Sequence, residues 1–358
     1  MQARSGLIPE AELRGMLSLI LAHQNGPRQR NLAHGLRVEP WAIPDHIVLS
    51  GFGPADRPPG GVFFPGTYSS TDDQGIGNYG LRSAADDVYE TVRLARLVGV
   101  GPDVLERLHQ GMLSLTTDAE SGLCWNGPDD WAAANFHDGL KPMGMVALPS
   151  CMRFRAARDL VALYQKAGNN AQAAFYEKLA AQLADSIPRL LQRPDGWLNN
   201  GSELNRQPDV WATSLAVYEG VLQGDTRRAA CEAMLRALRD GSVSRHGYLR
   251  HTPTWADAEP GGWVWENDSS ARRYEFGQYQ NGGYWPQPVG WYAAAVAEVS
   301  RPDAEQLADD FIEHTRAHAE DGAPFEWINP ELGIMECRWY GPSAALPLEA
   351  FRRMEDGA

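Results

Sequence analysis

Lysine is almost missing from this chain. Lys141, Lys166 and Lys178 are the only three among 32 basic residues. The 46 acidic residues outweigh that basic charge and leave −14 at pH 7. Nucleic acid and anionic membrane surfaces both need a basic face, so neither is expected as a partner. Cysteine is scarce as well. Cys124, Cys151, Cys231 and Cys337 are scattered without Cys-x-x-Cys spacing. That excludes a zinc or redox motif and fits free thiols in a cytoplasmic protein. No apolar run approaches ~18 residues, so no transmembrane helix is expected. Met16–Ala22 is apolar, but Glu10 and Glu12 offset Arg4 and Arg14, and no small-residue cleavage site follows. It reads as a buried helix rather than a signal peptide. Strand signals are few, at Ile47–Leu49 and Val62–Phe64. No phosphate-cradling glycine loop or nucleophile elbow stands out, and no cofactor is expected.

Tryptophan is plentiful. Twelve occur in 358 residues, in a chain whose 43% hydrophobic and 22% charged content is ordinary for a globular protein. Outside the two short strand signals, the apolar pattern has the helical period. Helices are expected at about 8–23, 83–99, 103–116, 150–168, 171–192, 209–223, 225–240, 287–300, 302–319 and 343–354. Gly99, Gly168, Gly224 and Gly241 mark ends, and Pro102 and Pro302 mark starts. The helices pair across tight turns, and the first of each pair is the more apolar. Trp211–Tyr218 is apolar, for example, whereas Asp225–Arg239 is amphipathic. Inner helix followed by outer helix, repeated, predicts an all-α fold, an (α/α)6 barrel or six-hairpin toroid with a few short strands in its loops. Residues 1–60 form an N-terminal segment packing on the barrel, and 61–358 form the barrel, with Gly51–Gly61 as the boundary.

Long loops precede the inner helices and gather at one end as a funnel. Each mixes carboxylate or amide with aromatic and glycine. The first is Thr71-Asp72-Asp73-Gln74-Gly75-Ile76-Gly77-Asn78-Tyr79-Gly80. The second runs from Gly122 to Trp131 and includes Trp125, Asp129 and Asp130. The third runs from Trp197 to Asp209 and includes Glu203 and Asn205. The fourth is Tyr279-Gln280-Asn281-Gly282-Gly283-Tyr284-Trp285-Pro286. The fifth is Pro324-Phe325-Glu326-Trp327, leading to Arg338-Trp339-Tyr340-Gly341. Rings offer flat faces to a pyranose, amides bond its hydroxyls, and glycines admit it close to the backbone. A carbohydrate ligand follows. Asp73, Tyr79, Trp125, Trp131, Glu203, Asn205, Trp211, Gln280, Asn281, Trp285, Trp327, Trp339 and Tyr340 are the expected binding residues. Glycoside hydrolysis needs two carboxyl groups, one holding a proton near neutrality and one activating water. Asp129 or Asp130 suits the acid and Glu326 the base.

These segments resemble a known family. Tyr279–Pro286 is similar to a characteristic stretch of the six-hairpin glycosidase superfamily. Phe325–Gly333 with Tyr340-Gly341-Pro342-Ser343-Ala344-Ala345 resembles the ending of members related to glycoside hydrolase family 63, trehalases and neutral invertases. The resemblance spans roughly residues 65–355. It implies an (α/α)6 barrel and an inverting hydrolase with an Asp acid and a Glu base, the base falling on Glu326. The usual Trp-Asp element is reversed here as Asp130-Trp131, which leaves Asp129, Asp130 and Asp138 open as the acid.

Other readings use the same barrel. A sugar epimerase would need histidines for proton transfer; His137, His246 and His251 are loop candidates, and His137, near Asp138, reads as a solvated loop histidine. An unsaturated glucuronyl hydrolase would need a uronate pocket, which Arg206, Arg272, Arg273 and Arg338 could supply. A non-catalytic carbohydrate-binding protein is the third reading. His314-x-x-x-His318 lies on a charged outer helix and reads as a solvated face. Asp72, Asp73 and Asn78 lack EF-hand spacing, so no metal is expected. A small neutral sugar is the expected partner, and homo-oligomerisation stays open.

Overall fold

The computed structural model describes residues 2–31, 37–43, 84–127, 140, 142–259 and 275–355. Within them lie ten α-helices: α1 (Glu10–Ala22), α2 (Asp86–Val98), α3 (Pro102–Ser114), α4 (Ala147–Lys166), α5 (Asn170–Leu191), α6 (Val210–Tyr218), α7 (Gly224–Arg239), α8 (Val289–Ala297), α9 (Arg301–Ala317) and α10 (Gly341–Glu355). All the expected helices are present. Gly224 is a correction. It opens α7, and the stop of α6 is Gly220, in left-handed backbone at φ 77°. The expected strands at 47–49 and 62–64 and the boundary near residue 60 lie outside the described residues.

Helix α2 packs on α4, α4 on α6, α6 on α8 and α8 on α10, forming an inner row. Helices α3, α5, α7 and α9 lie outside it. Sequence decides the layer. Helices α6 and α8 are apolar on every side and are buried from Val210 to Val217 and nearly throughout Val289–Val296. Helix α9 buries one stripe, Ala304, Leu307 and Phe311, and leaves its charges outside. Tyr292 ties the layers, donating from its hydroxyl to Met234 O at 2.6 Å.

The inner row closes through charge. Arg93 of α2 reaches Glu349 of α10 at 3.3 Å and Asp159 of α4 at 3.0 Å. Arg4, in a 3-10 turn (Gln2–Ser5), lies within 4.0 Å of Glu90 and 3.7 Å of Glu219 and bonds Glu349. Arg155 of α4 pairs with Glu90 and lies 3.8 Å from Glu219. Arg4 and Arg155 have nearly inaccessible side chains, so this network forms a charged floor inside the ring. The described loops before α4, α6, α8 and α10 lie where those inner helices start.

Candidate active site

Four of the five expected funnel loops are joined to one another by main-chain hydrogen bonds among the described residues. Ten short strands in five antiparallel pairs lie among the described residues. They are β1 (Arg30–Asn31) with β2 (Arg37–Val38), β3 (Trp125–Asn126) with β4 (Gly144–Met145), β5 (Leu198–Asn199) with β6 (Pro208–Asp209), β7 (Ser244–Arg245) with β8 (Tyr248–Leu249), and β9 (Trp327–Asn329) with β10 (Ile334–Glu336); the last four matter here. Further bonds connect the pairs. Val146 N donates to Cys124 O at 2.9 Å, and Ala147 N to Asn200 O at 3.0 Å. Val210 N donates to His251 O at 2.8 Å. Leu249 and Trp285 exchange two bonds at 2.8 Å, and Tyr284 and Ile328 exchange two more. The result is a ladder around the mouth, from the loop before α4 to the loop before α10.

Glu326 stands at the end of this ladder, 8% exposed, between buried Phe325 and Trp327. Its N–H donates to Glu336 O at 3.0 Å and Cys337 O at 3.1 Å. Asn329 joins this loop to the Tyr279–Pro286 loop, donating from Nδ2 to Gly277 O at 2.6 Å. Gly283 is required there: a Cβ would lie 2.3 Å from Tyr279 O and 2.8 Å from the Trp327 ring. Arg250 anchors the same loop, bonding Gly282 O and both oxygens of Asp257.

Asp209 is a carboxyl that the sequence alone did not single out. Its Oδ1 caps α6, accepting from Ala212 N at 2.8 Å, while Oδ2 is buried without a partner among the described residues. Burial pushes its pKa up to about 7, against two lowering backbone hydrogen bonds. The available signal was the all-apolar helix behind it, because the cap of a fully buried helix is itself buried. Its stabilising proton is fully held below the unfolded value near 3.8 and is lost as pH rises through about 7. The stability lost over that window is roughly 4 kcal/mol. Asp209→Asn keeps the cap acceptor and removes the titration. The variant should therefore gain on the parent in urea unfolding as pH rises from 4 to 8. Parallel pH curves would show that the carboxyl does not titrate in that window.

Other buried polar groups share this end of the barrel. Both amide atoms of Asn200 and of Gln287, and the hydroxyls of Thr252 and Ser343, are buried and make no hydrogen bond among the described residues. Asn200 adjoins the first turn of α4, Gln287 precedes α8, and Ser343 lies in the first turn of α10. Each such group costs about 1–3 kcal/mol when unsatisfied. They are donors and acceptors of the kind that pair with hydroxyls.

No family model and no curated protein sequence matches the chain. Solved structures do match. A sialidase shares the fold over 74% of this chain and 25% of its own, with TM-score 0.52 and 14% identity. The likeness is one of fold, an all-α barrel of paired helices. A family 63 mannosylglycerate hydrolase from Thermus thermophilus, solved with Tris and D-glycerate, matches over 58% of this chain and 46% of its own, with TM-score 0.40 and 18% identity. The chain thus spans a quarter of the first protein and about half of the second.

Within this helical frame, the expected binding residues separate by depth. Trp285 is fully buried, donates from Nε1 to Tyr279 O at 3.2 Å, and packs edge-on against Trp211 and Tyr279. Trp211 stacks face to face on His251, with centroids 3.9 Å apart. Gln280 and Asn281 are fully buried, and Trp327 nearly so. Asn205 is buried and turns its Oδ1 to Gln207 N at 3.2 Å. Trp125 and Tyr340 are half-buried, Glu203 is exposed, and Trp339 is 70% exposed. Asp72, Asp73, Asn78, Tyr79, Asp129, Asp130, Trp131, His137, Asp138, Arg272 and Arg273 lie outside the described residues. Arg206 and Arg338 are exposed on the rim.

One histidine reading is corrected, that of His314. His251, one of the loop candidates, is 1% exposed, with Trp211 stacked on it. His314 is not on a solvated face. Its ring packs between His246 and His318, and burial, then His318 and His246, lower its pKa to about 4. Among the described residues no group of three His, Cys, Asp or Glu is placed to hold a metal ion. No helix of the described residues is long and apolar enough to cross a membrane.

Proposed function

We propose that this protein is a glycosidase that hydrolyses a small neutral glycoside or oligosaccharide with inversion. One observation carries the reading. Buried polar side chains with unused hydrogen-bonding capacity gather at the starts of the inner helices, at the same end as the ladder that holds Glu326. Buried polar groups are normally paired, and a polyhydroxylated ligand would pair these. The name of the sialidase that shares the fold is in keeping with glycosidic chemistry.

Glu326 serves as the base. Its carboxylate would take a proton from water as the oxygen attacks the anomeric carbon. The acid is Asp129 or Asp130, on the loop before α4, which would protonate the departing oxygen. Inversion requires the two carboxyl groups to stand about 6.5–9.5 Å apart, with water between them. Asp209 caps the start of α6 at the same end, with its carboxyl raised by burial to about 7.

A panel of aryl glycosides and disaccharides, followed by NMR of the first-formed anomer, tests this. Turnover with an inverted product is expected. Retention would overturn the mechanism. Binding by calorimetry with no turnover of any member would overturn the enzyme reading in favour of a binding protein.

A further inference from the structure

A cavity of about 770 Å³ lies where α1, α2 and α4 end. Ala22, Val98 and Lys166, the last residues of those helices, all line it. The ladder meets the start of α4 and the cavity meets its end, and the 20 residues between span ~30 Å. The volume falls in the range of about 300–1,000 Å³ that small-molecule sites occupy. We infer that this cavity is a second binding site, for an amphipathic carboxylate: a soluble organic acid with one charged head and an apolar body.

The apolar body is matched by the floor. Leu17 and Leu21 of α1, Val98 of α2 and Leu163 of α4 line the cavity, each 5% exposed or less. Hydrocarbon that replaces water on such a floor binds favourably.

The head is matched by the rim. Arg14, Arg107 and Lys166 line the cavity, and no Asp or Glu does. Three cations thus gather in a chain of net charge −14, and one of them is among its three lysines. Elsewhere the arginines of this chain meet carboxylates, as Arg93, Arg193 and Arg250 do.

Helix ends attract cations without any ligand, and two of the three answer that demand. Arg14 donates to Val98 O and to Gly99 O at 3.2 Å, and it pairs with Glu10 at 2.6 Å. Arg107 donates to Leu21 O and to Gln24 Oε1 at 3.0 Å, but pairs with no carboxylate among the described residues. These bonds hold both guanidinium groups in place beforehand, which lowers the cost of binding. Lys166 differs. Its ammonium makes no hydrogen bond and no ion pair among the described residues. It reaches over the turn between α2 and α3, where a Cβ on Gly99 would lie 3.5 Å from Nζ. Arg107 and Lys166 are therefore two charges left for an anion. Inorganic phosphate would use the rim and waste the floor; a neutral alcohol would do the reverse.

Calorimetry on the whole chain with octanoate, octanol and inorganic phosphate tests this. Octanoate should bind at one site, and the other two at least roughly tenfold more weakly. Lys166→Gln removes an exposed charge, so it should melt as the parent does and weaken octanoate by roughly tenfold. Ala22→Trp fills the cavity while leaving its charges, and should abolish binding. No octanoate binding would overturn the inference. So would octanol or phosphate binding as tightly as octanoate. So would unchanged octanoate affinity in either variant that melts like the parent, because the acid would then sit elsewhere. The inference does not rest on the reading of Glu326, and Glu326→Gln should bind octanoate as the parent does.

Discussion

Glu326→Gln should fold as the parent does and lose ~10²–10⁴-fold in kcat/KM, the range that one general base contributes. The amide is nearly isosteric with the carboxylate and leaves the backbone bonds from residue 326 to Glu336 O and Cys337 O untouched. Glu326 is buried between Phe325 and Trp327, so a neutral amide is no harder to accommodate there than a charge. What disappears is the ability to take a proton from water. The loss should fall on kcat with KM nearly constant, since an interaction made only in the transition state is removed. Far-UV and near-UV circular dichroism should match the parent. Full activity in this variant would remove Glu326 from the mechanism and leave the funnel as a binding site.

Arg155→Met should cost about 3–5 kcal/mol, the range for breaking a buried ion pair from one side. Arg155 pairs with Glu90 and faces Glu219 in the floor, where its side chain is almost inaccessible. Burial alone would raise the Glu90 carboxyl. Neighbouring positive charge, the Arg155 guanidinium first and Arg4 with it, opposes that effect, and the carboxyl is held well below the usual range. The sign of the pH effect follows. A depressed carboxyl stabilises the fold above its unfolded pKa of about 4.3, and that contribution is lost as pH falls through the lower folded value. The gap between parent and variant in guanidinium unfolding should therefore be widest near pH 7 and narrow as the solution is taken below about pH 4. A variant within about 1 kcal/mol of the parent at pH 7 would show that the floor is not a cooperative network.

The layers of this fold were legible because each helix carries its own instructions. The apolar run Trp211–Tyr218 and the amphipathic run after it state which is inner and which outer, and Gly99, Gly168, Gly241, Pro102 and Pro302 state where to stop and start. Glu326 was legible as a carboxylate between aromatics on a loop before an inner helix. Other features had no local signal. Leu249 pairs with Trp285, and Tyr284 with Ile328, each across a long stretch of chain, so the ladder exists only once the loops meet. Trp285 looked like a ring offered to a sugar because sequence shows composition, not depth; Trp211 and Tyr279 pack against it. The raised carboxyl of Asp209 depends on neighbouring helices sealing its cap. The floor draws Arg4, Glu90, Arg155, Glu219 and Glu349 from five separate places in the chain.

The ladder around the mouth has a mechanical consequence. A cask is held by hoops, and here the hoop at the mouth is made of main chain, while the one at the base is made of ion pairs. Main-chain bonds do not depend on which side chains the loops carry. Residues pointing into the funnel can therefore be exchanged without slackening the mouth. Substrate preference and barrel integrity become separate properties: the first is written in side chains, the second in backbone. Among the described residues, a loop on this ladder cannot swing aside unless its neighbours release it.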